Sequence, residues 1–116
     1  MPTYLRGDVV SVPVTFTNQA GSKNRPVVVV SSDEYNQITP DLLVMSITGR
    51  LDGIAHPGDY VLQDWHAAGL LIPSKVQTKV TTIEASIITQ RHGRLTDADM
   101  AAVENGLCEA LNLQPS

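Results

Sequence analysis

Apolar and polar residues alternate along the first half of the chain. In Asp8 to Val14 the valines at 10, 12 and 14 recur at every second position, the period of a strand with one buried face. Pro26 to Val30 is an unbroken β-branched run, the mark of a strand buried on both faces. Leu42 to Ile47 predicts a third strand, and Asp59 to Leu62 and Val76 to Ile83 predict two weaker ones. Asp33 to Gln37 predicts a short helical turn. Between the first two strands, Thr15 to Arg25 is polar, contains Gly21 and is long for a hairpin connection, so it is expected to be a functional or mobile loop.

The period changes near the end. Thr96 is a predicted N-cap, with Asp97 and Asp99 in the first turn, where acids favour the positive end of a helix. Met100, Val103, Leu107, Ala110 and Leu111 then recur at helical spacing on one face. Asp99, Glu104 and Glu109 are expected to face elsewhere. No repeat or linker interrupts the pattern. The elements predict a single domain over residues 1–116, mainly β with a C-terminal α-helix: a small barrel or curled sheet closed by that helix.

Composition sharpens this picture. A chain of 116 residues with 42% hydrophobic residues can bury a core without metals or disulfides. Thirteen valines and ten threonines favour strands. No apolar run approaches the ~20 residues that span a bilayer, and no secretion leader is evident. One cysteine, Cys108, rules out an intrachain disulfide and reads as a small packing residue. A reduced, cytoplasmic location is the expectation. The net charge of −4 arises wholly after residue 94, where four acids face no Lys or Arg. An acidic chain is a poor sequence-independent DNA coater, though one face can still carry a local basic site.

Few motifs carry chemistry alone. Arg6-Gly7-Asp8 spells an adhesion tripeptide but reads as a turn entering the first strand. His56, His66 and His92 lack metal-ligand spacing, so no zinc site and no cofactor are expected. Arg25 sits just before the buried run, where Pro26 fixes the entry of the chain. Its guanidinium suits either a surface ion pair or a phosphate. Ser46 and Thr48 alternate onto one face of a strand end, followed by Gly49 and Arg50. They are either turn-forming hydroxyls or the lining of a phosphate-binding cleft.

Taken in order, these segments resemble the MazF/PemK-like toxin family, the mRNA interferases of type II toxin–antitoxin systems. Arg6-Gly7-Asp8-Val9-Val10 is similar to the family's opening strand, and Gly21-Ser22-Lys23-Asn24-Arg25-Pro26 to its Gly-x-x-x-Arg-Pro signature. Ser31-Ser32-Asp33, Tyr35-Asn36, Asp64-Trp65, Ala67-Ala68-Gly69-Leu70, Pro73-Ser74 and Gly93-Arg94-Leu95 resemble later family segments. Thr48 occupies the place of the family's catalytic threonine. The resemblance spans roughly Leu5 to Leu113.

It implies an SH3-like small barrel that forms a homodimer. It implies a metal-independent endoribonuclease that cuts single-stranded RNA through the ribose 2′-hydroxyl, leaving 2′,3′-cyclic phosphate and 5′-hydroxyl ends. Arg25 and Thr48 are then the catalytic pair. Ser46, Arg50, Lys75, Lys79 and the loop residues Thr17, Asn18, Gln19, Ser22 and Lys23 are candidate RNA contacts. A cognate MazE-like antitoxin is the implied partner, and no membrane is involved. The resemblance departs in one place: some relatives carry a late Arg-x-Asp acid–base pair, where this chain reads Lys75-Val76-Gln77-Thr78-Lys79. Two other functions fit the same barrel: a toxin that inhibits DNA gyrase, and a catalytically silent module that binds RNA or antitoxin.

Overall fold

The structure is a computed structural model that describes residues 3–15, 22–53 and 55–114, with only the backbone of Val14, Thr15 and Ser22. Six strands form one antiparallel sheet: β1 (Asp8–Thr15), β2 (Ser22–Val29), β3 (Asp41–Thr48), β4 (Tyr60–Val61), β5 (Lys75–Glu84) and β6 (Gln90–Arg94). Their spatial order is β4-β5-β3-β2-β1-β6. The sheet curls into a half-barrel. Helix α1 (Asp33–Ile38) links β2 to β3, and helix α2 (Asp97–Leu111) ends the fold. Both helices have the expected kind of cap: Ser32 accepts from the Tyr35 amide and Thr96 from the Asp99 amide.

The central strands are buried on both faces. On one face Val9, Val28, Met45, Ile47 and Val76 pack under Leu62, Ala68, Leu70 and Leu95, and under Val103 of α2. On the other, Val10, Val12, Val27, Val29, Leu42 and Val44 form a second cluster with Ile83 and Ile88. The unbroken Pro26–Val30 run is thereby explained, since alternate valines serve opposite cores. The Arg6-Gly7-Asp8 tripeptide is a turn, with the Asp8 amide donating to Leu5 O at 3.0 Å.

Three features differ from the expectation. Ser22 to Arg25 extends β2 rather than lying in a loop, because Thr15↔Ser22 and Val12↔Arg25 pair in the β1–β2 ladder while Lys23, Asn24 and Arg25 stay exposed. β6, Gln-Arg-His-Gly-Arg, is an edge strand with no apolar period, and only its pairing with β1 makes it a strand. On α2, Met100, Val103 and Leu107 pack on the core, but Ala110 is exposed and Leu111 is 55% exposed.

Asp99 is the fourth departure. Its side chain does not face solvent; the residue is 1% exposed. The Tyr60 hydroxyl donates to Oδ1 at 2.7 Å, the Gln63 amide to Oδ1 at 3.1 Å and the Asp64 amide to Oδ2 at 2.9 Å. Three donors make burial of the carboxylate tolerable, which the helical period does not register. Burial pushes its pKa up, but the Tyr60 hydroxyl and the two amides outweigh that and leave it lowered. The same contact, together with burial, pushes the Tyr60 hydroxyl up to about 12.

Asp99 thus pins the start of α2 to the segment leading from β4 into residues 62–74. That segment then closes on β6 backbone to backbone. A Cβ on Gly69, whose φ is +81°, would lie 2.2 Å from the His92 carbonyl oxygen, and one on Gly93 would lie 2.8 Å from the Ala68 carbonyl.

Asp99→Ala should cost about 2–4 kcal/mol, from three donors left without their charged acceptor. Because the folded pKa lies below the unfolded value of about 3.9, the Asp99 contribution is complete above that value. It is lost as pH falls through the lower folded one. Denaturant melts from pH 7 to pH 2 should show a smaller acid loss for Asp99→Asn than for wild type. Gly69→Ala should cost about 2–4 kcal/mol, from left-handed strain and the clash with β6, read as a lowered melting temperature.

Candidate active site

The β1–β2–β3 ladders bring the two residues of the expected pair together. β2 and β3 pair antiparallel through Val27↔Ser46 and Val28↔Met45, and the same register carried outward sets Arg25 opposite Thr48. Both line a cavity of about 730 Å3. Its floor comes from Ser11 of β1, Asn24, Arg25 and Pro26 of β2, and Ile47, Thr48 and Gly49 at the end of β3. One wall is Gly69, Leu70, Leu71, Ile72 and Ser74; the other is Gln90, Arg91 and His92 of β6.

The electrostatics of this lining differ from those of the whole chain. The chain carries −4, yet the described lining includes two arginines, Arg25 and Arg91, and no acidic residue. Arg91 Nη2 is anchored 3.1 Å from Oδ1 of Asp8, which is 0% exposed and lies outside the cavity. Thr48 Oγ1 accepts from the Arg50 amide at 3.1 Å, which fixes its hydroxyl at the strand end. The His92 ring meets the Ser11 hydroxyl through Nε2. Ser11 is 6% exposed, so the imidazole rests on a nearly buried support. Leu71, 92% exposed, and Ile72, 54% exposed, form an apolar lip. Guanidiniums, hydroxyls and amides around an apolar lip suit a phosphodiester with unpaired bases.

The other candidates are placed as follows. Ser46 is half-buried opposite Val27 and does not line the cavity. Lys23, Arg50 and Lys79 are exposed outside the lining. Lys75 pairs with Thr48 across β3 and β5, but it is 6% exposed and its Nζ lies 3.8 Å from Asp59 Oδ2. Asp59 in turn accepts from the His56 and Thr78 amides. Burial raises the Asp59 pKa, but those amides and the Lys75 charge leave it lowered. Lys75 therefore serves a buried ion pair and not an open RNA surface. Thr17, Asn18 and Gln19 lie outside the described residues, as does the Ser22 side chain.

Ser11, Asn24, Gln90, Arg91 and His92 also line the cavity, and pattern reading does not single them out for it. Four of the five are polar residues on strand positions with no apolar signal. The one available hint was an imidazole among arginines in Arg91-His92-Gly93-Arg94. Among the described residues no cluster of three His, Cys, Asp or Glu is placed to hold a metal ion, and no helix is long and apolar enough to cross a membrane.

Solved structures of known proteins share this fold. An endoribonuclease in complex with its cognate antitoxin from a mycobacterial species is 21% identical, with a TM-score of 0.74 and 100% of both chains covered. A MazE–MazF structure from Deinococcus radiodurans is 19% identical with a TM-score of 0.78, covering 98% of this chain and 100% of the other. MazF from the same organism is 23% identical with a TM-score of 0.72, covering 97% and 100%. Among curated proteins no sequence matches significantly. A family model matches residues 5–111, nearly the whole chain, and by that match the protein belongs to the PemK-like, MazF-like toxins of type II toxin–antitoxin systems.

Proposed function

We propose that this toxin is an endoribonuclease that cuts single-stranded RNA without a metal, using Arg25 and Thr48. The observation that carries the reading is the cavity itself. Arg25 and Thr48 line it from neighbouring strand ends, with Arg91 and several hydroxyls, and among the described residues no acid lines it to repel a phosphate. Fold likeness to an endoribonuclease and to MazF structures supports it.

The chemistry is an in-line attack of the ribose 2′-hydroxyl on the adjacent phosphorus. The O2′–P bond forms and the P–O5′ bond breaks, leaving a 2′,3′-cyclic phosphate and a 5′-hydroxyl. Negative charge builds on the non-bridging oxygens in the transition state. Arg25 meets that charge with a cation held at a rigid strand end, where no reorganisation is needed. Thr48 Oγ1, fixed by the Arg50 amide, orients the attacking ribose and passes hydrogen bonds along. The 2′-hydroxyl is the nucleophile, so the protein need not supply one. Unpaired bases lie over the apolar lip of Leu71 and Ile72, which duplex RNA is too stiff to enter.

The partner is a cognate antitoxin. A disordered acidic segment laid across the cavity would match the Arg25 and Arg91 charges and displace RNA. The working unit is a homodimer, with two symmetric sites or one shared groove.

Purified protein in EDTA should cut a long single-stranded RNA into discrete fragments with cyclic-phosphate ends. Arg25→Ala should slow cutting by about 10²–10³-fold, the usual loss for one preorganised donor. Thr48→Val should keep the shape of the strand end and slow cutting by about 10-fold or more. Intact RNA from folded wild type would sink the nuclease reading and favour gyrase inhibition or silent binding.

A further inference from the structure

We infer that His92 is a catalytic residue of this reaction, its imidazole taking the proton of the attacking 2′-hydroxyl, with Ser11 as its positioning residue. The inference rests on the nuclease reading above and assigns it a proton acceptor.

Attack by a ribose hydroxyl requires that its proton go somewhere. Arg25 and Arg91 offer guanidinium groups, which are donors only and cannot accept a proton. Thr48, Ser11 and Ser74 offer neutral hydroxyls, and Asn24 and Gln90 offer amides; none is a base near neutral pH. No carboxylate lines the cavity among the described residues. The stretch of β5 where some relatives carry Arg-x-Asp reads Lys75-Val76-Gln77-Thr78-Lys79 and holds no acid. His92 is the one described lining group whose ordinary pKa lies near neutrality.

Its placement fits the task. β1 lies between β2 and β6, so two strand spacings, about 10 Å, separate Arg25 from His92 across the sheet, and an offset along the strands adds to this, since Arg25 pairs with Val12 while His92 falls at the register shift opposite Val9 and Val10. Both residues line the same cavity of about 730 Å3, which has room for a phosphate and its ribose between them. The imidazole is half-buried, reachable yet shielded. With Nε2–H donating to the Ser11 hydroxyl oxygen, Nδ1 holds the lone pair that a base needs. Ser11 is held by pairing on both sides, with Pro26 and with Gln90. The His92 backbone is clamped by Gly69, which packs against its carbonyl. Ring and backbone are therefore both fixed before RNA arrives, the arrangement that makes proton transfer efficient.

The charged groups around the ring are Arg91, its neighbour on β6, and Arg25, which lines the same cavity from β2. The nearest acid on β1, Asp8, is engaged with Arg91. The packing segment contributes only Gly69, Leu70, Leu71, Ile72 and Ser74, all uncharged. In the step itself, His92 Nδ1 takes the 2′-hydroxyl proton as O2′–P forms. P–O5′ breaks with its electron pair on O5′, which takes a proton from a water molecule in the open cavity. The imidazolium gives its proton to the hydroxide so formed, and the site is restored.

The test is a pH–rate profile in EDTA at subsaturating RNA, on one cut site mapped in a long single-stranded RNA. Wild type should rise through a single ionisation between about pH 5 and 8. His92→Gln should slow cutting by about 10²–10³-fold and abolish that step. Its affinity for an oligonucleotide with deoxyribose at the cut position should stay within about threefold of wild type. Free imidazole should restore part of the rate of His92→Ala. Ser11→Ala should keep the step but shift its midpoint, which a purely structural residue would not do. A flat profile for active wild type, or His92→Gln cutting within threefold of wild type with an unchanged profile, would overturn the assignment. The wild-type profile decides even if a variant fails to fold. Wild type that cuts no RNA at all instead overturns the nuclease reading on which this rests.

Discussion

Burial of β1, β2 and β3 on both faces is the constraint on which the rest of the molecule depends. Val9 and Val28 serve one core while Val10, Val27 and Val29 serve the other. A slip of one residue in any of these ladders would turn each strand over and place its side chains in the wrong core. With both faces apolar a slip looks tolerable at first, but the strand ends forbid it. Arg25, Ser11 and Asp8 would then move to positions where their charges or hydroxyls lose support. Register is therefore set by the valines in the middle and enforced by the polar residues at the ends. The meeting of Arg25 with Thr48 is a consequence of that register.

Two further devices turn this sheet end into a cavity. Asp99 gathers a phenol and two amides at the start of α2, which holds the segment leading into residues 62–74. Gly69 and Gly93 then let that segment and β6 meet without side chains between them. The apolar lip and the β6 wall are thus fixed relative to the floor by packing rather than by a ligand. An acidic protein can present a cationic cavity in this way because its acids are spent elsewhere. Asp8 anchors Arg91, Asp59 anchors Lys75, and Asp99 anchors a helix. The remaining acids lie on α1, α2 and other surfaces away from the lining.

Legibility in the sequence followed the same division. Strands with a strong apolar period, such as Pro26–Val30 and Leu42–Ile47, could be read directly, as could the capped helix at Thr96. Arg25 and Thr48 could be singled out because each sits where an apolar run stops, and because the segments around them resemble one family in order. β6 could not be read, since Gln90-Arg91-His92-Gly93-Arg94 carries no period and is a strand only through pairing with β1, some 80 residues earlier. The burial of Lys75 is illegible for the opposite reason. A lysine in a strand reads as exposed unless its buried partner, here Asp59, is known. Asp99 fell to the same blindness, because hydrogen-bond donors from distant segments leave no local trace.

The central claim is that RNA is cut by its own 2′-hydroxyl in the cavity that Arg25 and Thr48 line. The most direct measurement replaces a single ribose, on the 5′ side of a mapped cut, with deoxyribose in an otherwise unchanged RNA, and follows cutting in EDTA. The account predicts that cutting at that position disappears while cuts elsewhere in the same molecule continue. Continued cutting at the substituted position would contradict it, since the nucleophile on which the whole arrangement depends would then be absent.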